Sequence, residues 1–240
     1  MSRTARWTAA LVTMWLAVAI GAASGAEEKK LDVAPVLDEL IVRATQGDVI
    51  AQFVLAGLYE ERGSYTNAFR WYQQAAQQAY ARAEFKVGFY YTNGRGVLRN
   101  YTEAVRWYLR AADQGVVEAQ YNLGVSFEKG LGTAQNYVEA LKWYRRAADQ
   151  GDAYAQKAIG VFYERGHGVA ADPVEACKWY HVAASASPEA ATLRDALAKR
   201  LKPVQVEEAK RRAAAFKPTV PVITDTKAPP AKAKPKDFLD

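Results

Sequence analysis

The chain has 240 residues, with 32 lysine and arginine residues against 26 aspartate and glutamate residues. The formal charge of +6 is a mild excess and lacks the dense basic stripe of a nucleic-acid-binding protein, so we expect no nucleic acid partner. Cys177 is the single cysteine and cannot form an internal disulfide, so we expect a buried side chain and a fold stabilised by packing.

The first 26 residues have the pattern of a secretory signal peptide. Arg3 and Arg6 precede an apolar stretch over residues 7–20, and small residues then place a cleavage site after Ala26. The alternative is an uncleaved membrane anchor, but the apolar stretch is shorter than the roughly 20 residues that a spanning helix needs. We therefore expect a bacterial protein of the periplasm or a secreted protein.

A Trp-Tyr pair recurs every 36 residues, at positions 71–72, 107–108, 143–144 and 179–180. A fixed period of this size predicts a solenoid of stacked helical units, with these pairs in its core. The solenoid is predicted over residues 36–185, and residues 36–45 match a second helix alone, which predicts an N-terminal half-repeat. The four repeats are placed at about 47–78, 80–115, 116–151 and 152–185.

Each repeat is predicted to contain two helices. In the second repeat, Ala83, Val87, Gly88 and Tyr91 share one face of the first helix. Gly88 lowers helix propensity by about 1 kcal/mol, so we expect a close approach of the second helix through the small pair Ala111-Ala112.

The loop between the two helices contains Gly-x-Gly in three of the repeats, as in Gly94 and Gly96. The first glycine suits a helix C-cap with positive φ and the second a sharp reversal, which we favour over a phosphate-binding loop. Asn100 with Glu103 three residues later predicts the start of the second helix by a capping box. In the shortened first repeat Ser64 takes the place of the cap.

Two further segments follow the last repeat. Apolar residues at helical spacing predict two C-terminal capping helices over residues 188–216. Residues 217–240 are rich in proline, lysine and alanine, which predicts a disordered or polyproline-like tail. Its lysines could contact envelope polymers or a membrane surface electrostatically, and the alternative is a solvated spacer.

The repeated pattern Ala-x-x-x-Leu-Gly-x-x-Tyr, Gly-x-Gly and Ala-x-x-Trp-Tyr-x-x-Ala-Ala resembles the Sel-1-like repeat, a relative of the tetratricopeptide repeat. The pattern runs through residues 83–112, 119–148 and 155–184. The resemblance implies an all-α fold, a right-handed α/α superhelix of antiparallel helix pairs with about four repeats. It also implies a scaffold or adaptor for protein or peptide partners.

An alternative function comes from the cysteine-rich members of the same family, which are associated with weak β-lactam hydrolysis. A β-lactam-acting or cell-wall-related hydrolase is therefore the second hypothesis, although this chain has one cysteine. Ser126 and Lys129 match the Ser-x-x-Lys motif of penicillin-recognising enzymes, but Ser-Asp-Asn and Lys-Thr-Gly are absent. With His167 and His181 as its two histidines, the chain predicts no catalytic residues, no cofactor and no metal site.

By analogy with tetratricopeptide repeats, the first helices line the concave face. Phe53, Phe85 and Tyr121 occupy equivalent positions and predict an aromatic ladder flanked by basic residues, which suits extended peptides with acidic groups. The alternative is a solvated face whose aromatics lie partly in the core. The predicted binding surface comprises Phe53, Arg82, Phe85, Lys86, Phe89, Tyr121, Asn122, Glu128, Lys129, Tyr154, Lys157 and Arg165.

Overall fold

The computed structural model describes residues 34–219, which form eleven helices and no strand. The chain divides into two units, Met1–Asp38 and Glu39–Asp240, and the second holds the repeats. The predicted all-α repeat fold is thereby confirmed. The predicted signal segment 1–26 and residues 220–240 of the predicted tail lie outside the described residues.

The helices form successive pairs, and in each repeat the first helix packs on the second. The helix bounds are α1 (Ala34–Thr45), α2 (Val49–Glu61), α3 (Tyr65–Gln77), α4 (Ala81–Asn93), α5 (Tyr101–Asp113), α6 (Val117–Lys129), α7 (Tyr137–Asp149), α8 (Ala153–Arg165), α9 (Pro173–Ala183), α10 (Pro188–Ala198) and α11 (Pro203–Ala215). The repeats consist of α2 with α3, α4 with α5, α6 with α7, and α8 with α9, while α10 and α11 both pack on α9. None of the helices between residues 34 and 219 has the length and apolar character needed to cross a bilayer.

Side chains cap the second helices as their sequences predict, but the capping box is incomplete. The side chain of Asn100 accepts a hydrogen bond from the backbone N–H of Glu103 at 3.1 Å. The Glu103 carboxylate does not return to the cap; it pairs with Arg106 at 2.5 Å, one turn along the exposed side of α5. Ser64 is the N-cap residue of α3 as predicted, but its hydroxyl accepts from the side chain of Asn67 and bonds no backbone N–H of the helix.

In the second, third and fourth repeats, a tyrosine ring lying on a glycine holds the two helices together. A Cβ atom added at Gly88 of α4 would lie 2.7 Å from Cδ1 of Tyr108 of α5. The expected close approach of the second helix is found, but the nearest atoms belong to Tyr108 and to the carbonyl of Ala104 rather than to Ala111-Ala112. The same contact joins Gly124 to Tyr144 and Gly160 to Tyr180.

The tryptophans of the pairs connect neighbouring repeats. Trp143 joins the apolar cluster formed by α5 and α6, and Trp179 joins the cluster formed by α7 and α8. Both are buried, whereas Trp71 and Trp107 are half-buried. In the third and fourth repeats, the tyrosine of the pair thus packs within its own repeat and the tryptophan packs on the preceding one.

The second glycine of the loop also links repeats. Gly168 has a φ of +66°, and a Cβ atom there would lie 2.6 Å from the carbonyl carbon of Tyr137, at the start of α7 in the preceding repeat. The expected reversal is therefore combined with a backbone contact between repeats, which only glycine permits at this distance.

A buried amide on the first helix of three repeats binds the end of the preceding second helix. Gln52 and Gln120 donate through Nε2 to the carbonyls of Ala44 and Ala112, at 3.1 and 3.2 Å. Each of these carbonyls also accepts a backbone N–H from the turn after its helix, that of Gly47 or Gly115, at 3.1 Å. The amide oxygens of Gln52 and Gln120 accept in turn from Gln78 and Gln150, at 2.8 and 2.7 Å.

The second repeat has Glu84 at this position, and an arginine compensates for it. Glu84 is 1% exposed, and its carboxylate pairs with Arg110 at 2.6 Å and accepts from Gln114 at 2.6 Å. Arg110 also donates to the carbonyl of Ala76 at 3.2 Å, which is the bond that the amide makes in the other repeats. Burial raises the pKa of Glu84, although the charge of Arg110 opposes this effect.

Gly88→Ala should lower the free energy of unfolding in urea by about 1–3 kcal/mol, because the methyl group meets the rigid ring of Tyr108. Gly57→Ala is the matched control, since the nearest atom to its added Cβ is the hydroxyl oxygen of Tyr72 at 3.8 Å. There the helix propensity of alanine should stabilise the protein by up to about 1 kcal/mol. Stabilisation by both substitutions would refute the packing role of Gly88.

Arg110→Ala should destabilise the protein by about 2 kcal/mol, because it leaves the buried carboxylate of Glu84 without its cation. The double variant Glu84→Gln with Arg110→Ala should recover more than half of the loss by restoring the amide of the other repeats. Arg146→Ala is the control at the same position of the third repeat, where the buried residue is Gln120, and should cost less. Equal losses from the two arginine substitutions, measured by urea unfolding, would contradict the compensation.

Candidate protein-binding surface

The hydroxyl of the tyrosine in each Trp-Tyr pair is bonded to a polar residue in the last turn of the first helix. Tyr72 donates to Glu60 at 2.8 Å and Tyr144 to Glu128 at 2.5 Å. Burial, followed by the neighbouring carboxylate, raises the pKa of Tyr72 and Tyr144 well above the ordinary range. Glu128, predicted as a binding residue, is thus already engaged by the core of its own repeat.

The pattern continues with one exception. Tyr180 donates to Glu164 at 2.9 Å, whereas in the second repeat the Tyr108 hydroxyl lies 2.9 Å from the hydroxyl of Thr92. Burial raises the pKa of Tyr108 to about 12, so this hydroxyl remains protonated at physiological pH. The tyrosine of every Trp-Tyr pair therefore places its hydroxyl at the same level of the first helix.

The predicted aromatic ladder is a row of half-buried rings that lie on these tyrosines. The ring centroids are 5.3 Å apart for Phe53 and Tyr72, 6.0 Å for Phe85 and Tyr108, and 5.7 Å for Tyr121 and Tyr144. The three rings of the row make no ring contact with one another among the described residues. Each ring therefore belongs partly to the core of its own repeat and offers one side to the surface.

Two of the predicted basic residues connect neighbouring units. Lys86 pairs with Glu60 of the first repeat at 2.8 Å, and Lys157 pairs with Glu189 of α10 at 2.5 Å. Both lysines are half-buried. They stabilise the array at its two ends and are less available to a partner than their sequence positions suggest.

Two other cations are free of such pairing. Lys129 and Arg165 end α6 and α8, are exposed, and form no ion pair with any residue between 34 and 219. Arg82 is exposed as well, at the start of α4. Asn122 is half-buried, and its side-chain amide donates to the carbonyl of Glu118 in the same helix.

The structure brings the remaining aromatic residues into two clusters. Tyr154 is 63% exposed, and its ring centroid lies 6.1 Å from that of Tyr121. This pair joins the third and fourth repeats. Phe89 lies 6.2 Å from Phe85 and under the guanidinium of Arg95, which is 5.5 Å from its ring centroid. Only the Tyr121–Tyr154 cluster includes a largely exposed ring.

The residues that would carry hydrolysis are not arranged for it. Ser126 is buried, and its hydroxyl donates to the carbonyl of Asn122 at 2.8 Å. Cys177 is fully buried as expected, and burial raises the pKa of its thiol. Between residues 34 and 219 no group of three or more histidine, cysteine or carboxylate side chains could hold a metal ion.

Sequence reasoning missed the tyrosine–carboxylate bonds, although a signal for them was present. Glu128 and Glu164 lie one period apart, and Glu60 precedes the shortened loop of the first repeat. A carboxylate that recurs at the same position of several repeats indicates a structural role, such as accepting a hydrogen bond from a core side chain. This signal separates Glu128 from the other predicted binding residues.

Comparison with known proteins shows where such an array occurs. The model of the Sel1 repeat family matches residues 49–80, 81–116, 117–152 and 153–188. A solved Sel1 repeat protein from Oxalobacter formigenes is 32% identical, with a TM-score of 0.64, over 78% of this chain and 84% of that one. No curated protein matches the sequence.

A second solved structure is c5321, described as a protective antigen present in uropathogenic Escherichia coli strains and displaying an SLR fold. It is 29% identical to this chain, with a TM-score of 0.69. The match covers 75% of this chain but 40% of c5321, so the chain spans two fifths of the length of that relative.

The bonds to Glu60 predict a pH-dependent contribution to stability. Burial opposes ionisation, but hydrogen bonds from Lys86 and Tyr72 outweigh it and lower the pKa of Glu60. A lowered folded pKa contributes stability above the unfolded pKa of about 4.3, and this contribution disappears as the pH falls. Glu60→Gln should therefore be less stable than the wild type at pH 7, and the difference should shrink towards pH 3.

Urea unfolding at pH 7, 5, 4 and 3 measures this difference. Glu61→Gln, on the exposed neighbour, is the control and should change stability by less than about 0.5 kcal/mol at pH 7. A difference between wild type and Glu60→Gln that stays constant down to pH 3 would contradict the ionic role of Glu60.

Proposed function

The chain belongs to the Sel1 repeat family, and we propose that it is an exported scaffold that binds protein partners through the surface of its first helices. Sel1 repeat proteins generally mediate protein–protein interactions. The finer proposal places the contact on the third and fourth repeats, at the surface formed by Tyr121, Lys129, Tyr154 and Arg165, called here the Tyr154 surface.

The observation that supports this location is the contrast between paired and unpaired charges. On the outer sides of the second helices, Arg106 and Lys142 pair with glutamates three residues earlier, both at 2.5 Å. Lys129 and Arg165 have no such partner among residues 34–219. They lie about 12 and 16 Å along their helices from Tyr121 and Tyr154, at 1.5 Å per residue.

The Tyr154 surface suits an extended protein segment. An exposed tyrosine supplies a large apolar area together with a hydroxyl, and such residues dominate binding energies at interfaces. Cations at the opposite ends of the same helices favour a segment with acidic side chains, because a charge without an internal partner gives up no ion pair on binding.

Export rests on the pattern of residues 1–26. Removal of this segment would leave 30 basic and 26 acidic residues, a mild net charge that fits a protein-binding scaffold better than a nucleic-acid-binding one. The partner is thus sought in the bacterial envelope or outside the cell.

Photocrosslinking in living cells tests both the export of the protein and the location of its binding surface. A photoreactive phenylalanine analogue at position 154 should give discrete crosslinks to a protein in the osmotic-shock fraction. The same analogue at Lys142, a side chain that is 63% exposed on α7, is the matched control and should give none. Adding Lys129→Glu and Arg165→Glu should lower the yield at position 154 by about tenfold, since reversed charges repel an acidic segment.

Identical crosslinks from both positions would refute the location of the binding surface. Recovery of the full chain from the cytoplasm alone would refute export. Circular dichroism of the charge-reversed variant, matched to that of the wild type, separates lost binding from lost folding.

A further inference from the structure

The hydrogen bonds that surround the buried amide of the first helix are incomplete in the fourth repeat. Gln156 donates to the carbonyl of Ala148 at 3.2 Å, as its counterparts do. In the first and third repeats, the amide oxygen of this residue accepts from a glutamine at the end of the second helix, Gln78 or Gln150. One period after Gln150 stands Ala186, whose side chain has no donor.

A change in the helix end accompanies this substitution. The second helix of the third repeat ends at Asp149, whereas α9 ends at Ala183, two residues before the equivalent position. Ser187 replaces the glycine that has positive φ at Gly151, so the chain leaves α9 by a different turn. The amide oxygen of Gln156, a residue that is 5% exposed, is left without a donor among the described residues.

A cavity of about 480 Å³ occupies the place of the missing side chain. Gln156 lies at one side, His181 and Val182 of α9 at another, and Ala213 of α11 with Phe216 at a third. The cavity opens to solvent beside exposed residues such as Lys210 and Ala214.

The outer wall of the cavity is held in place by the segment that follows α11. The ring of Phe216 packs on Trp179 with a centroid distance of 5.2 Å. The backbone N–H and the hydroxyl of Thr219 both donate to the carbonyl of Asp149, at 2.6 and 3.0 Å. This wall is therefore built from defined contacts of the chain itself.

Two other polar side chains border the cavity but are not available to a ligand. Nε2 of His181 is enclosed by protein atoms and has no hydrogen bond. Lys210 pairs with Glu207 at 2.7 Å.

We propose that this cavity binds a primary amide, whose N–H donates to the amide oxygen of Gln156. The amide takes the place of the glutamine side chain found at the equivalent position of the first and third repeats. The apolar part of the ligand packs on Val182, Ala213 and Phe216. The amide could come from a free small molecule or from a glutamine side chain of a protein.

Nuclear magnetic resonance on the labelled full chain tests the site. L-glutamine and the tripeptide acetyl-Ala-Gln-Ala-N-methylamide represent the two sources, and saturable shifts of the Gln156 side-chain amide are expected with at least one. L-glutamate and acetyl-Ala-Glu-Ala-N-methylamide are the matched probes and should bind at least about tenfold more weakly, because a carboxylate donates no hydrogen bond to the oxygen of Gln156.

Two variants locate the binding. Gln156→Leu should weaken it at least about tenfold, while Gln120→Leu, at the equivalent and fully bonded position, should leave it unchanged. Ala213→Phe fills the cavity from α11 without changing the buried amides, and it should also weaken the binding of the amide probes about tenfold. Saturation by neither amide probe, equal binding of the acidic probes, or unchanged binding by Ala213→Phe would overturn the proposal.

Discussion

The contact between a tyrosine ring and a glycine is the constraint on which the other features depend. It sets the distance between the two helices of a repeat, because the ring occupies the volume that a Cβ atom on the glycine would need. It also fixes the direction of the hydroxyl, which reaches the last turn of the first helix and bonds Thr92, Glu128 or Glu164 there. Packing and polar satisfaction are thus provided by one side chain.

The differences between repeats matter more for function than the pattern they share. Glu84 replaces a buried glutamine and is matched by Arg110, so the second repeat keeps its bonds by other means. Ala186 replaces a glutamine without such a match, and a cavity remains. Identical repeats make the same hydrogen bonds to their neighbours, so no polar group is left over. A repeat array therefore carries a site where one repeat departs from the others and its neighbours do not compensate.

Partner binding and stability compete for the same side chains on the first helices. Lys86, Lys157 and Glu128 are used by the fold, which leaves them few free bonds for a ligand. Tyr154 and Arg165 lie near the C-terminal end of the array and are exposed. The binding surface that we propose is therefore narrower than the row of equivalent positions and lies on the last two repeats.

The sequence by itself determined the period, the helix pairs and the burial of the tyrosine in each Trp-Tyr pair, because each is expressed by spacing within a few helical turns. The tertiary structure decided which side chains meet across helices and repeats. Tyr91 lies on the face predicted from spacing and is half-buried, whereas Tyr90 beside it is fully buried against Phe69 and Tyr72 of the preceding repeat. Helical periodicity records one buried face, but a helix inside an array has a second neighbour. The residues that face it, and the polar partners of Glu84 and Gln156, depend on distances that no local pattern encodes.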